Sequence, residues 1–335
     1  MFLHKWDAPH LRSSLFIGIL YALGATLLWG LAFVIPKLLS DFTPIEVTLG
    51  RYFFYGMISL GLLLLVERKF IWSYSRKIWL TALLFAIAGN LGYYFFVVFG
   101  IKYIGAPTTT LVIGALPITV SLYGNWLRRE YPFSRLVAPI VVIFLGLLVV
   151  NLLGINWSQG SEGITVVQRL LGLLSSCTAL VLWTWYGVTN SIFLKAHPHL
   201  SSSTWSTLIG VSTLFLVLFT TAIMVLSGNG RANIERYIRL DSQVLLFLLG
   251  SLILGVAVSW GGTLLWNLAS ALLPVSLVGQ LIVLETIFGL TYVFIADFKL
   301  PSAFELLGII MLIVGVVLGI NATRRNGTKR RREHC

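Results

Sequence analysis

One carboxyl group stands where hydrocarbon is expected. Glu285 lies near the middle of the apolar run 273–295, where a charge costs at least about 2.5–3.5 kcal/mol on insertion scales. A carboxyl there is protonated, paired, or set in a wet cavity. It could carry a coupling proton or recognise a cationic group on a ligand. The structural alternative is a protonated Glu that hydrogen-bonds a neighbouring helix. Arg51 is the other charge well inside an apolar run rather than within a few residues of its end. It sits seven residues into the run 45–66, roughly 10 Å from the end at 1.5 Å per residue. Its guanidinium could grip a carboxylate or phosphate as a fork. It could equally snorkel to the interface or pair with Glu46 through water.

Around these two charges are amides and aromatics at helical spacing. Asn90 and Tyr94 stand at i and i+4, with Tyr93 between them, so Asn90 and Tyr94 share a face. Trp183, Tyr186 and Asn190 follow the same three-to-four spacing. Trp260 and Asn267 lie two turns apart on one face. Gln280 precedes Glu285 by five positions, off its face, and either lines a cavity or joins helices. Trp29 lies mid-run in the first apolar segment. Aromatic rings with amides suit an organic ligand carrying an ammonium or a ring. The alternative is that Trp and Tyr form interface belts and Asn joins helices.

Signatures of other chemistry are missing. The sequence contains no HExxH, CxxC, GxSxG or P-loop, so neither an enzyme nor an ATP-driven pump is expected. The five histidines, His4, His10, His197, His199 and His334, fall in termini or one turn. Two cysteines, Cys177 and Cys335, make no disulfide framework or metal site. No cofactor is expected. The net charge of +12 resides in short gaps and in a basic tail, which is membrane anchoring rather than a nucleic-acid surface.

These residues must be positioned by membrane helices. Hydrophobic residues make up 57% of the 335, charged residues 11%, and mean hydropathy is +0.91. A water-facing surface needs about 25% charged residues. Ten apolar runs are long enough to span, since about 20 residues cross the bilayer core. They are roughly 14–39, 45–66, 78–99, 105–127, 134–154, 167–194, 203–226, 243–268, 273–295 and 303–321. Backbone groups in lipid must bond internally, so the runs are helices. The first is too long for a signal-peptide core, and no cleavable signal is expected. With the N-terminus in the cytoplasm, sixteen Lys and Arg fall inside and seven outside, leaving Arg51 within a helix. Both termini are therefore placed in the cytoplasm. Asn156-Trp157-Ser158 on the outer side matches a glycosylation triplet, a match that short triplets also make by chance.

The chain also repeats. Leu27-Leu28-Trp29-Gly30 resembles Val181-Leu182-Trp183-Thr184, and Ile104-Gly105-Ala106-Pro107 resembles Ala271-Leu272-Leu273-Pro274. Pro132 and Gly146 lie 14 apart, as do Pro301 and Gly315. Each pair falls at the matching point of a five-helix unit. An odd number of helices per unit forces opposite orientation, the inverted repeat whose substrate site lies between the halves. The expected fold class is all-α integral membrane, with ten transmembrane helices in two inverted five-helix repeats around a central cavity. The expected divisions are a cytoplasmic segment 1–13, a first repeat 14–154, an extracytoplasmic loop 155–166, a second repeat 167–321 and a basic cytoplasmic tail 322–335.

The residues Leu28-Trp29-Gly30-Leu31-Ala32-Phe33, then Lys37, Pro44 and Arg51, resemble the opening of EamA-type members of the drug/metabolite transporter superfamily. So do Gly100 to Pro107, Leu116-Pro117 and Glu130, and in the second half Trp266-Asn267-Leu268-Ala269 and the Gly308 to Gly315 spacing. The resemblance implies two inverted halves around a cavity and the export or exchange of small metabolites, often amino acids. Where many members have a proline in the ninth helix, this chain reads Leu284-Glu285-Thr286. The expected function is alternating-access transport of a small organic metabolite, such as an amino acid, out across an inner or plasma membrane, with protons as a candidate coupling ion. Nucleotide-sugar or phosphate-ester exchange through Arg51, Lys37 and Lys102 is the nearest alternative. A non-transporting assembly protein is the other. No oligomeric state is assigned.

Overall fold

The computed structural model describes residues 8–66, 74–152, 165–227, 236–238, 240–298 and 300–332. Among them are ten helices long and apolar enough to cross a membrane: α1 Ser14–Leu38, α2 Pro44–Leu65, α3 Arg76–Gly105, α4 Thr108–Arg128, α5 Phe133–Val150, α6 Val166–Ala196, α7 Ser202–Leu226, α8 Ser242–Leu272, α9 Val275–Ala296 and α10 Ala303–Ala322. Their outer faces carry apolar side chains. Leu174 and Val181 on α6 are 62% and 64% exposed, a surface that suits lipid rather than water.

Helix starts follow local chemistry. Thr43 and Glu46 close a capping box ahead of α2, with Pro44 in its first turn. Thr165 and Gln168 do the same for α6. Ser201 caps α7 and Asp241 caps α8. Between α3 and α4 the chain turns at Gly105, whose φ of 81° and ψ of 158° exclude a side chain. The third helix therefore runs on to Gly105, past the expected end near 99, and α4 starts at Thr108.

The helix pairings have a regular pattern. Helix α1 packs on α8 and α9, and α6 packs on α3 and α4. Helix α2 packs on α7, α4 on α9, and α5 on α10. Exchanging each helix for the one five places later returns the same set. The expected division points fall partly outside the described residues: 1–7, the loop residues 153–164 with their glycosylation triplet, and 333–335. The helical backbone also extends past the spans, from Ala8 at one end and to Arg332 at the other.

Four of the ten spans are irregular. Helix α3 contains a π-helical stretch, Ile87–Leu91. Helix α8 contains another, Leu254–Gly261. Helix α4 is broken at Gly114-Ala115 and α9 at Ile282. At the breaks the hydrogen bonds tighten to three residues: Ala115 N to Val112 O, Ile282 N to Gly279 O, and Glu285 N to Ile282 O. Pro117 has no N–H to give to the carbonyl of Ile113. Non-regular backbone at membrane depth is tolerated where it is packed in protein or lines a cavity, and π-bulges occur frequently at functional sites.

Candidate functional site

All four irregular stretches meet at one cavity of about 430 Å³, within the size range of small-molecule sites. The π stretch of α3 contributes Gly89 and Asn90, and that of α8 contributes Leu254 and Ser259. The break in α4 contributes Ile113, Gly114, Leu116 and Pro117, and that in α9 contributes Ile282 and Glu285. Seven aromatic side chains complete much of the wall: Trp29, Phe33, Tyr52, Tyr93, Tyr94, Trp183 and Tyr186. Gly89 lets the ring of Tyr186 in, because a Cβ there would lie 2.7 Å from it.

Among the described residues, Arg51 and Glu285 are the only charged ones lining the cavity. The Nε of Arg51 donates to Ser259 Oγ at 2.7 Å, and Ser259 Oγ donates in turn to Leu254 O at 2.9 Å. The guanidinium carbon lies 5.3 Å from the centre of the Tyr52 ring. One edge of the fork is thus tethered, and its remaining N–H groups have no partner among the described residues. Glu285 lies in the first turn of the second segment of α9, Val283–Ala296. Its carboxyl has no hydrogen-bond partner among the described residues, and it forms no ion pair with Arg51. The cavity therefore presents a basic group on α2 and an acidic group on α9 that form no ion pair with each other.

The cavity is off-centre. Its lining includes Pro36 near the end of α1, Val47 and Thr48 near the start of α2, and Thr110 near the start of α4. All belong to the end of the bundle away from the chain termini. Trp29 and Trp183 form its floor, with the buried Trp266 packed behind them; ring centroids are 5.1 Å apart for Trp29–Trp266, 6.2 Å for Trp183–Trp266 and 6.3 Å for Trp29–Trp183. Beyond that floor the termini end is packed shut by residues such as Trp205, Leu273, Val275 and Leu281, all fully buried.

The model of the EamA-like transporter family matches residues 16–152. The inner membrane protein YtfF of Escherichia coli (strain K12) is 32% identical over 309 residues, covering 91% of this chain and 95% of the relative. The chain belongs to the EamA-like transporter family. The uncharacterized transporter YyaM of Bacillus subtilis (strain 168) is 27% identical over 211 residues, 62% of this chain and 66% of the relative. A crystal structure only 17% identical has the same fold, with a TM-score of 0.68 over 92% of this chain and 98% of its own. This EamA-like transporter is a protein of the inner or plasma membrane that moves a small molecule and is not an enzyme.

The cavity of the EamA-like transporter brings together Trp29, Arg51, Asn90, Tyr94, Trp183, Tyr186 and Glu285 from the expected set. Four others lie elsewhere. Asn190 and Asn267 are buried and bonded to each other, Asn190 Nδ2 donating to Asn267 Oδ1 at 2.7 Å. Asn190 is on the expected face of α6 but beneath the floor, so its depth separates it from Trp183 and Tyr186. Trp260 joins the apolar cluster of Tyr52, Tyr55 and Val217. Gln280 is buried against α4, its Nε2 donating to Ser121 Oγ at 3.2 Å. Spacing fixes which residues share a face, but not which neighbour that face meets or at what depth. Asn90 also does more than line the wall: its Nδ2 donates to Thr213 Oγ1 on α7 at 2.9 Å.

Tyr52 and Ser259 line the cavity in addition to the expected set. The signal for Tyr52 was its place beside an intramembrane Arg. For Ser259 it was a small polar residue close before the pair Gly261-Gly262. Lys37 is engaged by Asp297 at 2.8 Å, and Lys102 lies outside the lining.

Proposed function

We propose that the chain is a secondary transporter for a zwitterionic metabolite of the amino-acid type, working by alternating access. The observation that carries this is the pair of unmatched charges. A carboxylate on the ligand meets the free edge of Arg51, and an ammonium meets Glu285. Both charges are then compensated inside a site walled by aromatic rings. Seven aromatic residues against two charges suit a small polar head with an organic side chain. Arg51 is the lone cation among the described residues of the lining, which speaks against a phosphate ester, because such a group calls for several converging cations.

The transport cycle follows from the repeat. The pairings that survive exchange of helix i with helix i+5 support two inverted halves. On the reading that both termini are cytoplasmic, the cavity lies toward the outer side, and export requires the termini end to open and load the site. A proton and the ligand ammonium compete for Glu285, which gives a route for coupling.

The test is flux in proteoliposomes against a panel of L-amino acids, with and without an imposed proton gradient. We expect saturable flux of a subset, altered by the gradient in wild type and insensitive to it in Glu285→Gln. Flux that ignores both gradient and pH overturns the proton coupling. A folded, monodisperse protein that moves no zwitterion but moves a phosphate ester overturns the substrate class.

A further inference from the structure

The turn between α4 and α5 is held from inside. Asn125 is fully buried; its Oδ1 accepts from Tyr131 N at 2.9 Å and its Nδ2 donates to Tyr131 O at 2.9 Å. Glu130 is directed at α9, its carboxylate accepting from Val275 N at 2.9 Å, Ser276 N at 3.0 Å and Ser276 Oγ at 2.7 Å. It is the only acid between Glu67 and Glu162. The negative charge of this turn is therefore committed to the start of α9. Arg128 and Arg129 beside it are exposed, with no hydrogen-bond or ion-pair partner among the described residues. Trp126 and Phe133, which flank them, are 63% and 50% exposed. Arg128 is the last residue of the α4 span and Phe133 the first of α5. The ends of such spans fall at the level of the lipid headgroups, where the phosphates lie.

Arg129 is also strained. Its φ of 48° and ψ of 43° are left-handed, a conformation that suits Gly or Asn after a helix and costs other residues stability. The second half contains a matching turn. Phe298 has a φ of 51° and precedes Pro301 by three residues, as Arg129 precedes Pro132. Five spans separate the two turns, so they lie at opposite ends of the bundle. The repeated fold accounts for the left-handed backbone in both places. It does not account for the side chains there, since glycine would fit either position with less strain. Phe298 is 97% exposed and Arg129 is exposed too. Neither side chain offsets its strain by burial within the protein.

We infer that Arg128 and Arg129 hold the phosphate of an anionic phospholipid in the leaflet at the termini end, with Trp126 and Phe133 against its acyl chains. Two adjacent guanidiniums offer planar forks to a phosphate. Exposed rings at the same level suit the boundary between headgroup and hydrocarbon. A zwitterionic headgroup brings its own cation, so the uncompensated arginine pair favours a headgroup of net negative charge. A merely solvated pair of surface charges would account for the exposure. It would not account for a strained backbone under Arg129 or for bare rings on both sides.

The test uses the full-length protein, delipidated in detergent and titrated with dioleoyl phosphatidylglycerol. Bound lipid is counted by native mass spectrometry, and melting is followed in parallel. Each basic residue near an anionic surface contributes about fivefold in affinity. Arg128→Gln with Arg129→Gln should therefore weaken phosphatidylglycerol binding by roughly 25-fold. Arg76→Gln with Lys77→Gln removes the same charge from the exposed start of α3, at the same end of the bundle, and should leave that binding nearly unchanged. Dioleoyl phosphatidylcholine and inorganic phosphate should each raise the melting temperature less than phosphatidylglycerol does. Arg129→Gly should melt higher than wild type in lipid-free detergent, yet bind phosphatidylglycerol more weakly. Phe298→Gly should also melt higher, with that binding intact. Equal losses from the two double variants reduce the effect to general surface charge and overturn the inference. Protection by inorganic phosphate equal to that by phosphatidylglycerol assigns the arginines to a soluble anion and overturns it as well. So does an Arg129→Gly protein that melts lower than wild type, because the guanidinium then serves the fold. None of these measurements needs a transported solute, so they stand whatever the substrate class.

Discussion

Replacing Glu285 by Gln keeps the length and shape of the side chain and removes its charge. The carboxyl has no partner among the described residues, so the change orphans no protein group. What is lost is its contact with a ligand ammonium. A hydrogen bond to a charged group contributes about 1.5–3 kcal/mol, or roughly 10- to 150-fold in Kd. The assay is equilibrium binding of the tightest L-amino acid from a panel, and of its N-acetyl derivative, to purified protein. Wild type should bind the N-acetyl form more weakly by a factor of that size, and Glu285→Gln should no longer distinguish the two. The mirror experiment pairs Arg51→Gln with the amino-acid amide. Arg51→Lys should not rescue binding, because Lys lacks the Nε that Ser259 holds and the fork that grips a carboxylate. If Glu285→Gln weakens the amino acid and its N-acetyl derivative by the same factor, or weakens neither, the two-charge account of the site is refuted.

Gly89→Ala drives a methyl to 2.7 Å from the Tyr186 ring. It should lower thermal stability by about 1–3 kcal/mol and reduce ligand affinity, since Tyr186 lines the cavity. Gly105→Ala forces a side chain into a region open almost solely to glycine. It should cost about 1–3 kcal/mol in a melting assay without altering ligand selectivity, because Gly105 is not in the lining. Burial, and then the hydrogen bond to Glu46 Oε1 at 3.0 Å, push the Tyr237 phenol above its ordinary value of 10.0. The unfolded phenol ionises first, so this link stabilises fully below pH 10 and is lost as pH rises beyond it. Alkaline melts should therefore fall less steeply in Tyr237→Phe than in wild type, and an unchanged slope would contradict that assignment.

Much of the fold could be read along the chain. Ten long apolar runs have one solution in lipid, because unpaired backbone groups are too costly there. Thr43, Thr165, Ser201 and Asp241 mark helix starts by the same chemistry in any context. Pro117, which lacks an N–H, sits just after the break in α4. The π stretches at Ile87–Leu91 and Leu254–Gly261 have no such marker, since one extra residue per turn depends on what packs outside the helix. The partner of Arg51 was equally hidden: Glu46 is near in sequence, yet it caps α2 and meets Tyr237, while Ser259 holds the guanidinium from 208 residues away.

The sequence by itself determined that the chain has ten apolar runs long enough to span a membrane, that its halves resemble each other, and that two opposite charges lie well inside such runs. These follow from transfer free energies that act residue by residue. Only the tertiary structure decided that Arg51 and Glu285 open onto the same cavity without pairing. It also decided that Asn190, Asn267, Trp260 and Gln280 turn to neighbouring helices instead. Helical spacing fixes a direction around one axis. What that direction meets, and at what depth a floor such as Trp29 and Trp183 closes the cavity, is set by how the other helices pack.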